Sequence, residues 1–303
     1  MKRKIVFILG PTSSGKTLAA LSFAERNGGE IVSCDSMQVY RDMDIITQAP
    51  GDDVLSRVPH YLVKMLSPEE EFSAARFVEE AGKSIRLILE KGKIPVFAGG
   101  TGLYVKALVD GLFTSPPKDD DFRARMNRAA LEQGPEYLYS RLLKVDPDTA
   151  SRLHPNDIRR VVRALEVYEL TGRAIRDKKN EACGIAGIYD LRMFGLSMPR
   201  GLLYSRIEDN VESMFSRGLV DEVERILKRS LSLTAEKALG IKEVSLFLDG
   251  KLTLEEAKAE LKKNTRRYAK RQLTWFRADS RVKWLDARKD PGDIAGEISD
   301  MIK

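Results

Sequence analysis

Lys4-Ile-Val-Phe-Ile-Leu9 runs straight into Gly10-Pro11-Thr12-Ser13-Ser14-Gly15-Lys16-Thr17, and no other stretch narrows the choice of fold as much. A short apolar run rich in β-branched residues reads as a strand buried on both faces, the kind found in parallel sheets. The residues after it match the phosphate-loop pattern G-x-x-x-x-G-K-[ST]. Such a loop turns backbone N–H groups toward a diphosphate. Its glycines permit the tight conformations, and the next helix adds the positive end of its dipole. Lys16 is expected to reach the outer phosphate oxygens and the Thr17 hydroxyl to ligate Mg²⁺. Because these contacts go to phosphates and not to a base, the loop specifies a diphosphate-containing ligand and leaves ATP open.

The pattern downstream alternates. Residues 16–27 read as a helix, Ile31–Cys34 as a strand, 73–91 as a helix with Phe77, Ala81, Ile85 and Ile88 on one face, and Ile94–Ala98 as a strand. Alternation of this kind predicts an α/β fold, here a P-loop NTPase-like parallel sheet. The character changes near Ser115-Pro116-Pro117. From Asp119 to about Gly172 only helical periodicity is visible, with Phe122, Met126 and Ala129 on one face and Ile158, Val161, Val162, Leu165 and Tyr168 on another. Strand candidates return at Leu191–Leu196 and Val282–Leu285, while Gly184–Gly187 reads as a loop. A chain of 303 residues corresponds to about two domains. We therefore expect a core built from 1–115 and 190–303, with a helical insertion domain over 116–189.

Composition excludes several classes. Cys34 and Cys183 are the only cysteines, too few and too far apart for a disulfide scaffold or a zinc cluster, so a cytoplasmic protein is expected. His60 and His154 cannot by themselves form a metal centre, and neither is assigned a catalytic role. No apolar run approaches the ~18 residues of a membrane span, and the apolar run at the N-terminus is too short for a signal peptide. The net charge of +6 is unevenly spread. Residues 1–110 are neutral overall, whereas 258–283 carry ten Lys/Arg against Glu260 and Asp279. Lys262, Arg266 and Arg267 lie there at near-helical spacing among Tyr268, Trp275 and Phe276, as expected of a helix that contacts nucleic-acid phosphates and whose aromatic face packs on the core or stacks on bases, with Trp275 and Phe276 expected in the core.

Two further strand tips carry polar chemistry. Ligands of parallel α/β sheets lie at the carboxyl ends of the strands, so Asp35-Ser36-Met37-Gln38-Val39-Tyr40 faces the same crevice as the phosphate loop. Asp35 could hold Mg²⁺, cap the next helix or act as a general base, and Gln38 could make a two-point contact to an adenine edge. Gly99-Gly100-Thr101-Gly102-Leu103-Tyr104 follows the third strand, with glycines that allow close approach of a ligand or of another segment. Thr101 is the side chain of that turn able to orient Asp35.

These tips, read as GPTSSGKT, DSMQVY and GGTGLY, together with Arg160–Gly172, GLVDEV at 218–223, ALGIKEV at 238–244 and TRRYAKRQLTWFR at 265–277, resemble the tRNA dimethylallyltransferase (tRNA isopentenyltransferase) family over nearly the whole chain. The resemblance implies transfer of a dimethylallyl group from dimethylallyl diphosphate to N6 of a flipped-out adenosine 3′ of the anticodon. It implies Asp35 as general base, Thr101 as its orienting residue, and Lys16 and Arg206 on the diphosphate. It also implies tRNA contacts from Asp35, Ser36, Met37, Gln38, Thr101, Arg123, Arg159, Arg160 and Arg163, with the insertion domain gripping the anticodon stem-loop; a monomer is expected. Three places depart from the family pattern. Asp42-Met-Asp-Ile-Ile-Thr-Gln-Ala-Pro50 stands where G-x-x-I-G-T-A-K-P is usual. Asn210 stands where a second arginine is common, and Tyr61 where a second histidine often follows His60. Diphosphate contacts are therefore expected to be fewer or differently placed. A small-molecule kinase would share the loop and the sheet but would leave the basic segment unexplained. Prenyl transfer to free AMP would leave it equally without a use, and a non-catalytic RNA-binding role would leave Lys16, Thr17, Asp35 and Thr101 without one.

Overall fold

A computed structural model describes residues 2–112, 116, 118–174 and 183–303. The chain divides into two compact units, one formed by Met1–Ala107 with Ala186–Lys303 and the other by Leu108–Ile185.

The first unit is built on a sheet of six strands: β1 (Lys4–Leu9), β2 (Gly29–Ser33), β3 (His60–Tyr61), β4 (Ile94–Gly99), β5 (Asp190–Ser197) and β6 (Val282–Asp286). Their spatial order is β3-β2-β4-β1-β5-β6, and every neighbouring pair is parallel. Residues Ile5–Leu9 are fully buried because strands cover both edges of β1 and helices cover both faces. Phe7 stacks on Phe97 of β4 with ring centroids 4.8 Å apart. The edge strand β3 has only two residues, too few to show a periodicity, and no strand is expected there from the sequence.

Helix α1 (Lys16–Asn27) opens at Gly15 and closes at Gly28, both in the left-handed region, with φ of 83° and 64°. Short helices α2 (Asp44–Thr47) and α3 (Asp52–Leu55) follow β2, and α4 (Ala74–Glu90) precedes β4. Helix α5 (Gly102–Asp110) leaves the tip of β4. Four-residue α2 is held at its amino end by the buried Glu222 carboxylate, which accepts the Ile45 and Ile46 N–H groups at 3.0 and 2.8 Å.

The second unit is helical: α6 (Asp120–Gln133), α7 (Pro135–Val145), α8 (Pro147–Ala150) and α9 (Ile158–Thr171). Its core gathers Phe122, Met126, Leu138, Leu142, Val161 and Leu165. At its centre Glu166, with 0% exposure, accepts paired hydrogen bonds from Arg123 at 2.8 Å and one from the Asp119 N–H at 2.9 Å, and it binds Arg163 as well. Burial alone raises this carboxyl. The two guanidinium groups and the backbone donor overcome that and bring it to about 2.

Glu166→Ala is expected to destabilise the helical unit by about 2–3 kcal/mol, less than the ~3–5 of a fully buried broken pair because Arg123 and Arg163 remain partly exposed. The folded-state pKa is depressed, so this contribution is present above the unfolded value of ~4.3 and is lost as pH falls toward 2. Denaturant midpoints of the unaltered protein and of Glu166→Gln should therefore converge between pH 5 and about 2. Midpoints that stay equally far apart at pH 7 and pH 3 contradict the assignment.

In the remainder of the first unit lie α10 (Arg200–Ser216), α11 (Leu219–Leu227), α12 (Ile241–Leu248), α13 (Leu254–Arg277) and α14 (Pro291–Ile302). The basic stretch is thus one 24-residue helix, α13, opened by a capping box between Thr253 and Glu256. Phe276 is buried as expected, but Trp275 is 42% exposed. Its ring lies against the Gly102 backbone, where an added Cβ would sit 2.2 Å from the indole. The segment 185–187, read as loop, forms a short 3₁₀ turn.

Candidate functional site

Two strand tips and helices α2, α10 and α13 line a cavity of about 390 Å³ in the first unit, and Thr101 of the third strand tip is not among its lining residues. Thr12, Ser13, Gly15, Lys16 and Thr17 line it from the phosphate loop after β1. Asp35, Ser36, Met37 and Gln38 line it from the tip of β2, and Ile46, Thr47 and Gln48 from α2. Thr265, Tyr268 and Arg271 contribute from α13.

The phosphate loop differs in detail from the expectation that all its N–H groups face the ligand. Thr12 N–H donates to Gln272 Oε1 at 2.9 Å, and Ser14 N–H to Pro11 O at 3.3 Å. Among the described hydrogen bonds, the N–H groups of Ser13, Gly15, Lys16 and Thr17 have no protein acceptor. Unsatisfied donors at a helix N-terminus form an anion site. Gly10 lies too close to the Ser14 hydroxyl and the Leu196 carbonyl to carry a side chain. Lys16 Nζ donates to Pro11 O at 3.2 Å; burial pushes its pKa down, and the neighbouring Asp35 pulls it back up. Arg206 of α10 brings a guanidinium nitrogen to 4.0 Å from the position of a Cβ on Gly15, which places a second cation beside the loop.

Asp35 Oδ1 accepts the Met37 N–H at 2.9 Å, closing a turn of its own. No direct bond joins it to Thr101 among the described residues. Thr101 instead brackets Asp35 along the chain. Its N–H donates to Cys34 O at 3.2 Å, and its hydroxyl oxygen accepts the Ser36 N–H at 3.0 Å. The orienting effect expected of Thr101 therefore acts through the backbone on either side of Asp35. Gln38 is occupied as well: its Oε1 accepts from Ser33 and its Nε2 donates to Gln48 O, so an adenine edge would have to replace those bonds.

The glycines at 100 and 102 make room for α13. A Cβ on Gly100 would sit 2.0 Å from Gln272 Nε2, and one on Gly102 would strike Trp275. Gln272 ties the site together, accepting from the phosphate loop at Thr12 and donating to Gly100 O at 3.0 Å. Tyr268, one turn earlier, has its phenol pushed up by burial and by Asp35, with hydrogen bonding to Thr101 and Gln272 opposing the shift. Tyr268 is visible in the sequence only as one aromatic residue of the basic segment, and Gln272 does not stand out. A glutamine and a tyrosine four positions apart in an otherwise basic helix were the available signal.

Two of the departures from the family pattern meet in space. Asn210 Nδ2 donates to Gln48 Oε1 at 2.6 Å and lies 3.5 Å from Ser13 Oγ. A neutral amide pair therefore stands beside the loop at this point.

The basic residues of α13 fall into two groups. Lys262 pairs with Glu212 at 2.5 Å and Arg266 with Glu208 at 2.8 Å, while Lys258 and Lys263 also have carboxylate partners. Arg267, Lys270, Arg271 and Arg277 form no ion pair with a carboxylate among the described residues, although the charge of Arg267 reaches Glu260. In the helical unit, Arg123 and Arg163 are committed to Glu166, Arg160 pairs with Asp157 at 3.2 Å, and Arg159 is exposed.

Among the described residues, no group of three or more His, Cys, Asp or Glu could cage a metal ion. A magnesium ion carried largely by substrate phosphates needs only one or two hard oxygen donors from protein. The Thr17 hydroxyl, with Asp35 on the same cavity, fits that requirement. No helix of the described residues is long and apolar enough to cross a membrane.

A sequence model of IPP transferase matches residues 38–279. The tRNA dimethylallyltransferase of Geobacter sulfurreducens is 46% identical over 287 residues, 94% of this chain and 92% of that one. Its counterpart in Carboxydothermus hydrogenoformans is 45% identical, over 96% of this chain and 94% of the relative. Among solved structures, a tRNA isopentenylpyrophosphate transferase from Bacillus halodurans superposes with a TM-score of 0.74 at 41% identity, covering 99% of this chain and 96% of its own. A eukaryotic dimethylallyltransferase acting on tRNA superposes at 0.77 and 29% identity, covering 94% and 74%. With four fifths of its length matched by the family model and near full-length relatives at such identities, the chain belongs to the IPP transferase family.

Proposed function

We propose that this chain transfers a dimethylallyl group from dimethylallyl diphosphate to N6 of the adenosine 3′ of a tRNA anticodon, with release of diphosphate. The observation that carries this reading is the convergence of an anion-binding loop, a carboxylate and an apolar wall on one cavity. The relatives named above for tRNA dimethylallyl transfer support it.

Each part of the cavity has a task. The exocyclic amine of adenine is a weak nucleophile, and its proton must leave as the new C–N bond forms. Asp35 takes that proton. The C–O bond to diphosphate breaks, and the charge that develops there meets Lys16, Arg206 and the free N–H groups of the loop. Thr17 would hold Mg²⁺ on the diphosphate, and the ion would supply further positive charge to the leaving group. The cavity walls keep water away from the allylic carbon. Thr101, Tyr268 and Gln272 hold Asp35 and the loop in register. The tRNA partner and the two free cysteines favour the cytoplasm.

Outside the cavity, tRNA phosphates meet Arg267, Lys270 and Arg277 of α13, which have no ion-paired carboxylate to give up among the described residues, while Arg271 lines the cavity itself. Arg159 and Arg160 of α9 serve the anticodon stem-loop. Lys262 and Arg266 are secondary, because a phosphate must displace Glu212 and Glu208. Lys270→Ala with Arg277→Ala should weaken tRNA binding and reduce the slope of log affinity against log salt by about 1.5. Lys262→Ala with Arg266→Ala should change that slope much less. Equal slopes for the two double variants would refute the ranking.

Incubation with labelled dimethylallyl diphosphate and tRNA, AMP or small acceptors tests the function directly. Label is expected in tRNA, at N6 of the adenosine 3′ of the anticodon. Label in AMP alone, or phosphoryl transfer from ATP to a small acceptor in its place, overturns the proposal.

A further inference from the structure

The reaction cavity has a chemically uneven lining. Polar residues line it at the phosphate loop, at the Asp35 turn, at Thr47 and Gln48, at Lys237, and at Thr265, Tyr268 and Arg271 of α13. The wall formed by Ile46, Met214, Leu239 and Leu261 is apolar. If the diphosphate sits on the loop and the adenine amine near Asp35, the hydrocarbon tail of the donor needs an apolar surface, and this wall is the one the cavity offers.

Ile46 stands out within that wall. It lies in the four-residue helix α2, whose last two residues, Ile46 and Thr47, line the cavity with Gln48. Its side chain is only 5% exposed, and its Cδ1 and Cγ1 atoms come within 3.3 Å of where a Cβ on Gly240 would sit. Gly240 has a φ of 113°, so the backbone there presses against the isoleucine with no side chain between. The Ile46 backbone is fixed too, because Glu222 accepts its N–H at 2.8 Å and that of Ile45 at 3.0 Å. Glu222 belongs to the 218–223 motif, for which the reaction itself has no other use. Glu243, in the 238–244 motif, accepts the Gly240 N–H at 3.0 Å and a bond from Asn264 of α13 at 2.7 Å, which fixes the opposing side.

We infer that Ile46, backed by Gly240 and held by Glu222, is the residue that limits the donor to a five-carbon chain. This inference rests on the functional reading above. A rigid branched side chain at the end of an apolar slot rejects a longer tail by overlap, and each extra methylene that cannot be housed costs about 10–200-fold in specificity. Met214, Leu239 and Leu261 contact the tail along its length; Ile46 closes the slot.

The test is the ratio of kcat/KM for geranyl diphosphate to that for dimethylallyl diphosphate, with tRNA as acceptor. Unaltered protein should strongly prefer the five-carbon donor. Ile46→Ala should raise the ratio at least about tenfold. Ile46→Phe should act the other way, lowering kcat/KM for dimethylallyl diphosphate itself. Should Ile46→Ala fail to fold, Met214→Ala widens the same slot from the neighbouring helix and is expected to raise the ratio as well. An unchanged ratio in a folded Ile46→Ala enzyme that still transfers dimethylallyl overturns this inference and leaves the functional reading standing. Absence of dimethylallyl transfer to tRNA by the unaltered protein overturns both.

Discussion

Asp35→Asn is expected to slow single-turnover prenyl transfer by about 10²–10⁴-fold, the usual contribution of a positioned general base. Binding of tRNA and of dimethylallyl diphosphate should change little, since the lost interaction belongs to the transition state. The structure makes this substitution a clean test. Asp35 uses Oδ1 to accept the Met37 N–H, and an asparagine Oδ1 can do the same, so the turn should survive. A role as turn cap alone predicts a normal rate and at most ~1 kcal/mol of lost stability. A role as Mg²⁺ ligand predicts weaker diphosphate binding, partly restored by added Mg²⁺. Thr101→Ala should give a smaller loss in the same step, because Thr101 holds the backbone on both sides of Asp35 and does not bond the carboxylate. A folded Asp35→Asn enzyme with a near-normal single-turnover rate would remove Asp35 from the role of base.

Lys16→Ala is expected to lower the transfer rate by about 10²–10³-fold, the scale seen when one preorganised charge-stabilising donor is deleted. It should also weaken inorganic diphosphate binding. The ammonium sits between the phosphate loop and Asp35, with its pKa lowered by burial and supported by that carboxylate. Its removal leaves Arg206 as the cation beside the loop. Binding of tRNA should largely persist, because Arg267, Lys270 and Arg277 of α13 do not line the cavity that holds Lys16. Isothermal titration with inorganic diphosphate, alongside tRNA binding by filter retention, separates the two effects. A matching fall in tRNA affinity would contradict the division between the phosphate loop and the basic helix.

The phosphate loop, the Asp35 turn and the Gly99–Tyr104 turn were legible in the sequence because each is local. Consecutive residues set a strand, a tight turn and a helix start, and the parallel sheet then brings three strand tips to one edge. The change from strand to helical periodicity suggests a helical segment over 116–189, with bounds that differ from those of the compact unit. The structure places those of the unit at Leu108 and Ile185. Non-local partners were not legible. The i,i+3 spacing of Arg163 and Glu166 allows a helical pair, but nothing in the sequence indicates that Arg123, 43 positions away, binds the same buried carboxylate. Nor does the run from Lys258 to Arg277 show which cations Glu208 and Glu212, on another helix, neutralise. Gln272, bonded both to the phosphate loop and to Gly100, looks in sequence like an ordinary surface glutamine. The same holds for Ile46, whose significance depends on a glycine 194 positions away. The sheet and the chemistry of its tips thus follow from the order of residues alone, because they depend on propensities and hydrogen bonds between near neighbours. Which charges stay free and which side chains close the cavity emerges only on folding, because ion pairing and packing are settled between groups that are distant along the chain.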